Sequence, residues 1–233
     1  MRAEVTGDGP IRLRSVSGAA TTIRASVLGA GRIDLFTSTD ELTIADASTG
    51  DGAITIRSVD HDLEALSVVA GGGGDIRIET IGAGDSSVDR VVAADDRITL
   101  LSAGSISASD GDASVDLIAG ELVMGATDGI GANRPLEASV ASVEAHGGAG
   151  SVRLINRGPV TIADLDDAVG ASGLGGSTGA GSWRLVNDGA ITVGAGIVQT
   201  GLGGASLEVV DFGSIDVAAP LLAFGGDVRL TAG

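Results

Sequence analysis

The sequence predicts an all-β fold, a right-handed parallel β-helix (β-solenoid) of roughly ten stacked coils of about 22 residues, and three observations predict it. Short apolar–polar–apolar units recur along the whole chain, as in Val152-Arg153-Leu154 and Val160-Thr161-Ile162. In the first hundred residues these units return at nearly constant intervals. Glycine, which forms tight corners, supplies 39 of the 233 residues. Alternation over such short runs is typical of strands, and a fixed period in the low twenties is typical of a solenoid.

Two interleaved series of these units supply the predicted strands. In the first series the spacing is nearly constant as far as residue 98, and it becomes looser in the middle of the chain. The first series occupies residues 11–13, 33–35, 54–56, 76–78, 98–100, 115–117, 152–154, 183–185, 207–209 and 228–230. The second series occupies residues 42–44, 66–68, 160–162, 191–193 and 215–217.

Each strand is expected to pair in parallel with its equivalent one period away, at about 4.8 Å. A single coil cannot bury its apolar side, whereas stacked coils make a continuous core. Antiparallel hairpins are the competing interpretation, because Asp-Gly pairs suited to hairpin turns occur five times. The regular period favours the corners of a coil, and glycine-rich corners are predicted at 28–31, 49–52, 71–74 and 82–84.

The composition suits a narrow aliphatic tube. Aromatic residues make up only 2% of the chain, so Ala, Val, Ile and Leu must fill the core. No helical apolar period is evident, and no run approaches the length of a membrane-spanning helix. There is no cysteine, so no disulfide contributes. The formal net charge of −17 opposes binding to nucleic acid or to an anionic lipid surface, since both require cationic neutralisation.

The chain is expected to be one unit, residues 1–233, that forms a single β-helix segment of a longer protein. Its last repeat unit is followed by only three residues, and its first residues contain no apolar stretch of a signal peptide. Residues 163–181, ADLDDAVGASGLGGSTGAG, interrupt the pattern and are predicted to be a Gly/Ser-rich loop that bulges from one corner. Trp183 occupies an inward position where other units have Ile or Val, which indicates a wider coil beside this loop.

Residues 128–162 carry a resemblance to a known family. They read DGIGANRPLEASVASVEAHGGAGSVRLINRGPVTI, with Gly-Ile-Gly, Pro-Leu-Glu, alternating valines, a glycine corner and then Ser-Val-x-Leu-x-Asn-x-Gly-x-Val-Thr-Ile. This order resembles the repeat regions of filamentous haemagglutinin-type exoproteins, which are bacterial adhesins of the two-partner secretion type. The resemblance implies a right-handed parallel β-helix, export to the cell surface and a role as an adhesive or spacing rod. The family's amino-terminal secretion domain has no counterpart in this sequence.

Carboxylates are the main candidates for a binding site. Asp40, Asp62 and Asp85 follow one another at about one repeat period and are expected to stack on one corner. Such a ladder offers oxygens to Ca²⁺, which takes six to eight of them. Other acidic clusters lie at 60–62, 95–96, 110–112 and 164–167. The preferred interpretation is a solvated, repelling face without metal or cofactor, and Ca²⁺ binding is the alternative.

A catalytic role is not predicted. A glycosidase or polysaccharide lyase on an acidic face is the alternative, but the chain has no Tyr, one Trp and three Phe to form the wall of a sugar cleft. His61 and His146 lie far apart in the sequence, without a second metal ligand nearby, and both are expected on the surface. No Gly-x-Ser-x-Gly elbow is evident, so no Ser-His-Asp triad is predicted.

The outward residues of the repeat units predict a ladder of charges that sets the register. Arg12 with Asp34 and Glu208 with Arg229 are expected to pair across neighbouring coils. The most favoured function is therefore a structural or adhesive shaft segment, extracellular or on the cell surface. Its expected partners are a host or neighbouring cell surface, a glycan, or a second copy stacked end to end.

Overall fold

The strands of this protein stack into a single β-solenoid of about ten turns. The computed structural model describes residues 1–15, 21–38, 40–166, 168–169, 173–210 and 213–233. These residues form 23 strands in one continuous sheet, and none of them is helical. The strands are β1 (Arg2–Val5), β2 (Ile11–Ser15), β3 (Thr21–Val27), β4 (Ile33–Thr37), β5 (Leu42–Thr49), β6 (Ile54–Val59), β7 (Leu63–Ala70), β8 (Ile76–Ile81), β9 (Ser86–Ser102), β10 (Ser105–Ala108), β11 (Leu117–Ala126), β12 (Gly129–Ile130), β13 (Leu136–His146), β14 (Val152–Arg157), β15 (Val160–Ile162), β16 (Leu174–Thr178), β17 (Trp183–Asp188), β18 (Ile191–Val193), β19 (Gly196–Gln199), β20 (Ala205–Val209), β21 (Ile215–Val217), β22 (Leu221–Ala223) and β23 (Val228–Ala232).

The predicted parallel stacking is confirmed, because every strand pairing among the described residues is parallel. Ile11 lies in register with Ile33, and the same column continues through Ile54, Ile76 and Ile98. The second half repeats the arrangement, with β14 in register with β17 and β17 with β20. The hairpin interpretation is therefore wrong for the described strands.

The core is the aliphatic tube that the composition predicts. The inward columns consist almost entirely of Ile, Leu, Val and Ala, and Ile33, Leu42 and Ile54 are completely buried. Trp183 is also completely buried, and its Nε1 donates to the carbonyl of Ala145 at 3.1 Å. Burial of apolar area, at about 25 cal/mol per Å², is the main force that holds the coils together.

The glycine corners are confirmed, and close approach between coils explains one column of them. A Cβ on Gly31 would lie 2.3 Å from the carbonyl oxygen of Gly9, and a Cβ on Gly52 would lie 2.3 Å from that of Gly31. The corner backbones therefore stack so closely that only glycine fits between them.

Three predicted details of the strand pattern are wrong. The unit at 115–117 does not continue the first series, because β11 begins at Leu117 and the residue in register with Ile98 is Leu122. The unit at 66–68 is out of phase, because Leu66 is half-buried on the outside while Ala65 and Val68 are buried. The chain turns a corner there inside β7, which shifts the alternation by one residue. In addition, residues 174–178 were expected within the loop but form β16, which pairs with β13 and β19. The described residues of the loop proper, 163–166, 168–169 and 173, are hereafter called the insertion.

Of the two charge pairs predicted between neighbouring coils, one is confirmed and one is wrong. Arg12 and Asp34 do pair, with Nε and Oδ2 3.3 Å apart. Glu208 does not pair with Arg229, because the register places Thr231 beside Glu208. Glu208 instead binds Arg184 of the preceding coil at 3.0 Å. The error arises because the sequence separation of the predicted pair is shorter than the local period of the coil.

Candidate functional site

The first candidate, the acidic corner, is assembled differently from the prediction. Asp62 and Asp85 occupy equivalent positions, since their carbonyls accept from Leu42 and Leu63, the first residues of β5 and β7 on consecutive coils. The residue equivalent to them on the coil before is Glu41, whose carbonyl accepts from Thr21. Asp40 is therefore one residue out of register with the ladder proposed for it.

The carboxylates of this corner hold neighbouring coils together. Asp62 Oδ1 accepts the backbone N–H of Asp85 at 2.8 Å, and Asp85 Oδ1 accepts that of Ser105 at 2.7 Å. The same contact to the next coil recurs at other corners. Its donor and acceptor pairs are Ala30 with Asp8, Gly73 with Asp51, Arg97 with Asp75, and Glu137 with Asp116. The N–H groups of Ala30, Gly73 and Asp85 lie between strands, so the carboxylates there satisfy donors that the sheet leaves open.

A second acidic group lies where the chain passes from β9 and β10 to β11. Carboxylate oxygens of Asp89, Asp110 and Asp116 lie within 4.8 Å of one another. Burial raises the pKa of Asp116 to about 8, and the nearby carboxylates of Glu137 and Asp110 act in the same direction. Burial, and then the charges of Asp110 and Asp112, also raise the pKa of Asp89. The cluster therefore retains a proton on Asp116 at neutral pH.

The raised pKa of Asp116 predicts how the free energy of unfolding depends on pH. The folded protein holds the Asp116 proton up to about pH 8, whereas the unfolded chain releases it near the ordinary pKa of 3.8, so the contribution of Asp116 falls as the pH rises between these values. Asp116→Asn keeps an acceptor for the N–H of Glu137 but has no proton to lose. Its stability relative to the wild type should therefore increase by up to about 1.4 kcal/mol per pH unit.

Chemical denaturation of both proteins at pH 5.5 and pH 8.5 measures this difference. Asp188→Asn is the control, because Asp188 is exposed and lies outside the cluster, so its effect should be nearly the same at both pH values. An equal stability difference between Asp116→Asn and wild type at both pH values would contradict the raised pKa.

The third candidate is a buried chain of hydrogen bonds through Glu144, His146 and Ser177, hereafter the relay, which was not predicted from the sequence. Glu144 and His146 alternate along β13 on its outer side, and His146 lies in register with Ser177 of β16. Glu144 Oε1 lies 2.9 Å from His146 Nε2, and His146 Nδ1 lies 2.7 Å from Ser177 Oγ. Glu144 is completely buried and His146 is 6% exposed, so the expectation of a surface histidine is wrong for His146. His61 is half-buried.

The relay is buried because the insertion covers it. Backbone N–H groups of Leu165 and Asp166 both donate to Glu144 Oε2, at 2.7 and 2.8 Å. Further along the insertion, Val169 is 7% exposed and packs over Gly125 of β11. The described part of the insertion therefore lies back on the outer face of the sheet instead of bulging from its corner. Asp167 of the predicted acidic cluster lies outside the described residues.

The hydrogen bonds of the relay fix which tautomer the neutral form of His146 adopts. A carboxylate only accepts, so Nε2 carries the hydrogen and donates to Glu144. Nδ1 is then free to accept the hydroxyl hydrogen of Ser177, as in the activation of a serine nucleophile. Residues 175–179 read Gly-Gly-Ser-Thr-Gly and match the Gly-x-Ser-x-Gly pattern, so the expectation that the sequence lacks this pattern is wrong.

The structural surroundings of Ser177 favour a role in holding neighbouring segments together over a catalytic role. A nucleophile elbow is a sharp turn that exposes the serine, whereas Ser177 lies within β16, which is paired on both sides. Backbone groups around it are engaged: its carbonyl accepts from Gly147, and the N–H of Gly179 donates to Gly148. The relay thus holds the insertion and β16 against β13.

The fourth candidate is a basic cleft on the outer face of β2, β4 and β6. Its volume is about 510 Å³, and its lining includes Arg12, Arg14, Arg32, Arg57 and Phe36. This arginine cleft, as these five residues are called below, was not predicted from the sequence. The periodic spacing of its side chains was visible, but their net surplus of positive charge emerges only when three coils are stacked.

Comparisons with known proteins assign none of these sites. No protein family matches the chain, and neither a curated protein nor a solved structure matches it. Among the described residues, no helix has the length and apolar character needed to cross a membrane.

Proposed function

We propose that this chain is a structural and adhesive shaft segment of a secreted or surface-displayed bacterial exoprotein. The observation that carries the proposal is the unbroken parallel stacking from β1 to β23 in one sheet. About ten coils at about 4.8 Å each give a rod on the order of 50 Å long. A rod of this kind would act as a spacer that holds the parts of the exoprotein at its two ends apart.

The surface chemistry supports an exposed, extracellular location for this rod. The chain carries 31 acidic and 14 basic residues, and the resulting negative charge keeps a glycine-rich rod soluble. The chain has no cysteine, and its coils hold together through the core, the charge pairs and the corner carboxylates. The resemblance of residues 128–162 to filamentous haemagglutinin-type repeats supports export by two-partner secretion.

The proposed partners are a neighbouring cell surface and a second copy of the rod. The last coil presents apolar side chains at positions that the preceding coil buries: Val228 and Leu230 are 43% and 46% exposed, whereas Ala205 and Leu207, in register with them, are buried. A sheet edge with such side chains pairs readily with another edge. The isolated chain is therefore expected to associate end to end, and sedimentation over a hundredfold concentration range measures this.

Localisation of the intact protein tests the proposed function. An antibody raised against this chain should label intact, unpermeabilised producing cells or detect the protein in the culture medium. Deletion of two coils in frame should leave export intact and shorten the visible projection by about 10 Å. Antigen confined to the cell interior would contradict the proposal.

The two alternatives give different results in solution. A polysaccharide lyase or hydrolase would turn over acidic polysaccharides and would lose this activity when a paired carboxylate is replaced. A calcium-stiffened stalk would melt at a higher temperature with Ca²⁺ than with EDTA. The shaft proposal expects neither result, because the corner carboxylates already accept backbone hydrogen bonds.

A further inference from the structure

The arginine cleft is a concentration of positive charge on an acidic protein. Among the described residues, four guanidinium groups line it together with a single carboxylate, that of Asp34. Asp34 Oδ2 is shared, since Arg12 Nε lies 3.3 Å from it and Arg32 Nε lies 3.1 Å from it. The cleft therefore has a surplus of three positive charges in a chain whose formal net charge is −17.

Two of the arginines have no ion-pair partner in the described part of the chain. Arg14 and Arg57 form no salt bridge with any carboxylate there, although acidic residues outnumber basic ones by more than two to one. Glu79, which lies in register with Arg57 on the next coil, pairs instead with Arg77 at 3.3 Å. Unpaired guanidinium groups that line one cleft repel each other, and an anionic ligand would relieve that repulsion.

Phe36 positions Arg14, one of the two unpaired arginines. The register runs from Arg14 to Phe36 to Arg57 on three successive coils, so Phe36 lies between the two arginines along this column. The guanidinium carbon of Arg14 lies 5.0 Å from the ring centroid, within the range of a cation–π contact. Phe36 is half-buried, so it holds Arg14 in place while leaving the N–H groups of that arginine free to donate.

We propose that the arginine cleft binds an acidic carbohydrate, with a uronate carboxylate held between Arg14 and Arg57. The planar guanidinium fork matches a carboxylate and donates two parallel hydrogen bonds. Asp34 and the hydroxyl of Thr55 also line the cleft and accept hydrogen bonds from sugar hydroxyls. A ligand with both hydroxyl donors and a carboxylate fits this mixed lining.

The same lining disfavours a nucleic acid. A phosphodiester backbone offers acceptors but no donors for Asp34, and its long chain of charges would extend past the cleft onto the acidic remainder of the rod. An acidic peptide has carboxylates but lacks the ring hydroxyls. An acidic carbohydrate would thus be the ligand of the proposed adhesive function. The biological role of the cleft rests on that proposed function, whereas uronate binding itself does not.

Calorimetry on the full chain at low ionic strength tests the inference. The probes are a trisaccharide of galacturonic acid, the corresponding neutral galactose trisaccharide, a triglutamate peptide and a four-nucleotide oligothymidylate. The uronate should bind, and the other three should bind at least ten times more weakly. Equal binding of the neutral sugar, the peptide or the oligonucleotide would overturn the proposal, as would no binding of the uronate.

Matched double variants locate the site. Arg14→Gln/Arg57→Gln should weaken uronate binding at least tenfold. Arg24→Gln/Arg90→Gln removes the same charge from exposed arginines outside the cleft and should change binding less than twofold. Equal losses in both variants would show a general charge effect and overturn the assignment. Circular dichroism of each variant verifies the fold, and cell-surface labelling tests the shaft function independently of this result.

Discussion

Trp183→Ala is expected to destabilise the protein by about 3–5 kcal/mol, because it truncates the largest side chain of the core. The indole is completely buried among aliphatic side chains, and its removal leaves a cavity that the stacked coils cannot close. Val152 and Ala205 lie in register with it on the two neighbouring coils, so the gap would interrupt the core column. The carbonyl of Ala145 would also lose its donor.

The packing around the indole is specific, which sharpens this prediction. Gly176 of β16 lies so close that a Cβ there would be 2.5 Å from Nε1 of Trp183. The missing side chain of Gly176 thus provides the space for the ring. Trp183→Phe should therefore cost less than Trp183→Ala, because it fills most of the space and loses only the hydrogen bond.

Denaturant unfolding followed by circular dichroism measures both variants, since Trp183 is the only tryptophan and fluorescence is lost with it. Leu202→Ala is the control, because Leu202 is 85% exposed and its truncation should change stability by less than about 0.5 kcal/mol. A loss of under about 1 kcal/mol in Trp183→Ala would mean that the indole is not part of the core.

Glu144→Ala is expected to release the insertion from the sheet and to cost about 2–4 kcal/mol. The substitution removes the acceptor of three donors: the N–H groups of Leu165 and Asp166 and the ring of His146. Buried donors without an acceptor are costly, so the insertion would open to let water reach them. Ser177 and β16 should remain attached through their own strand pairings.

Hydrogen exchange measures this release directly. The amides of Leu165 and Asp166 should exchange much faster in Glu144→Ala, while those of β8 should not change. Glu144→Gln retains one acceptor oxygen and should fall between the wild type and Glu144→Ala. Unchanged exchange at Leu165 and Asp166 in Glu144→Ala would show that the carboxylate does not hold the insertion.

The sequence predicts the coils well and the sites poorly, for a physical reason. Alternation and period report which side chains point inward, so the column from Ile11 to Ile98 was predictable. The Glu144–His146–Ser177 relay was not, since the insertion lengthens that coil and hides the neighbour of His146 on the next one. Smaller local changes of period also explain the misplaced partners of Asp62 and Glu208.

The acidic corners illustrate how a correct pattern led to an incomplete interpretation. The near-period spacing of aspartates was visible in the sequence and indicated a ladder that could hold Ca²⁺. The structure shows instead that Asp62 and Asp85 each accept a backbone N–H from the next coil. Such contacts depend on unpaired corner amides, which side-chain spacing does not reveal.

Electron spin resonance distances between labelled pairs test the stacked-coil architecture most directly. The chain has no cysteine, so labels attach only at introduced sites. Arg2, Arg24 and Asp46 lie on one column of the outer face, which continues through Ser67 to Arg90. With one label at residue 2, the distance to labels at 24, 46, 67 and 90 should increase by about 4.8 Å per coil, to about 19 Å. A series that fails to increase with each coil would contradict the solenoid and the shaft function proposed from it.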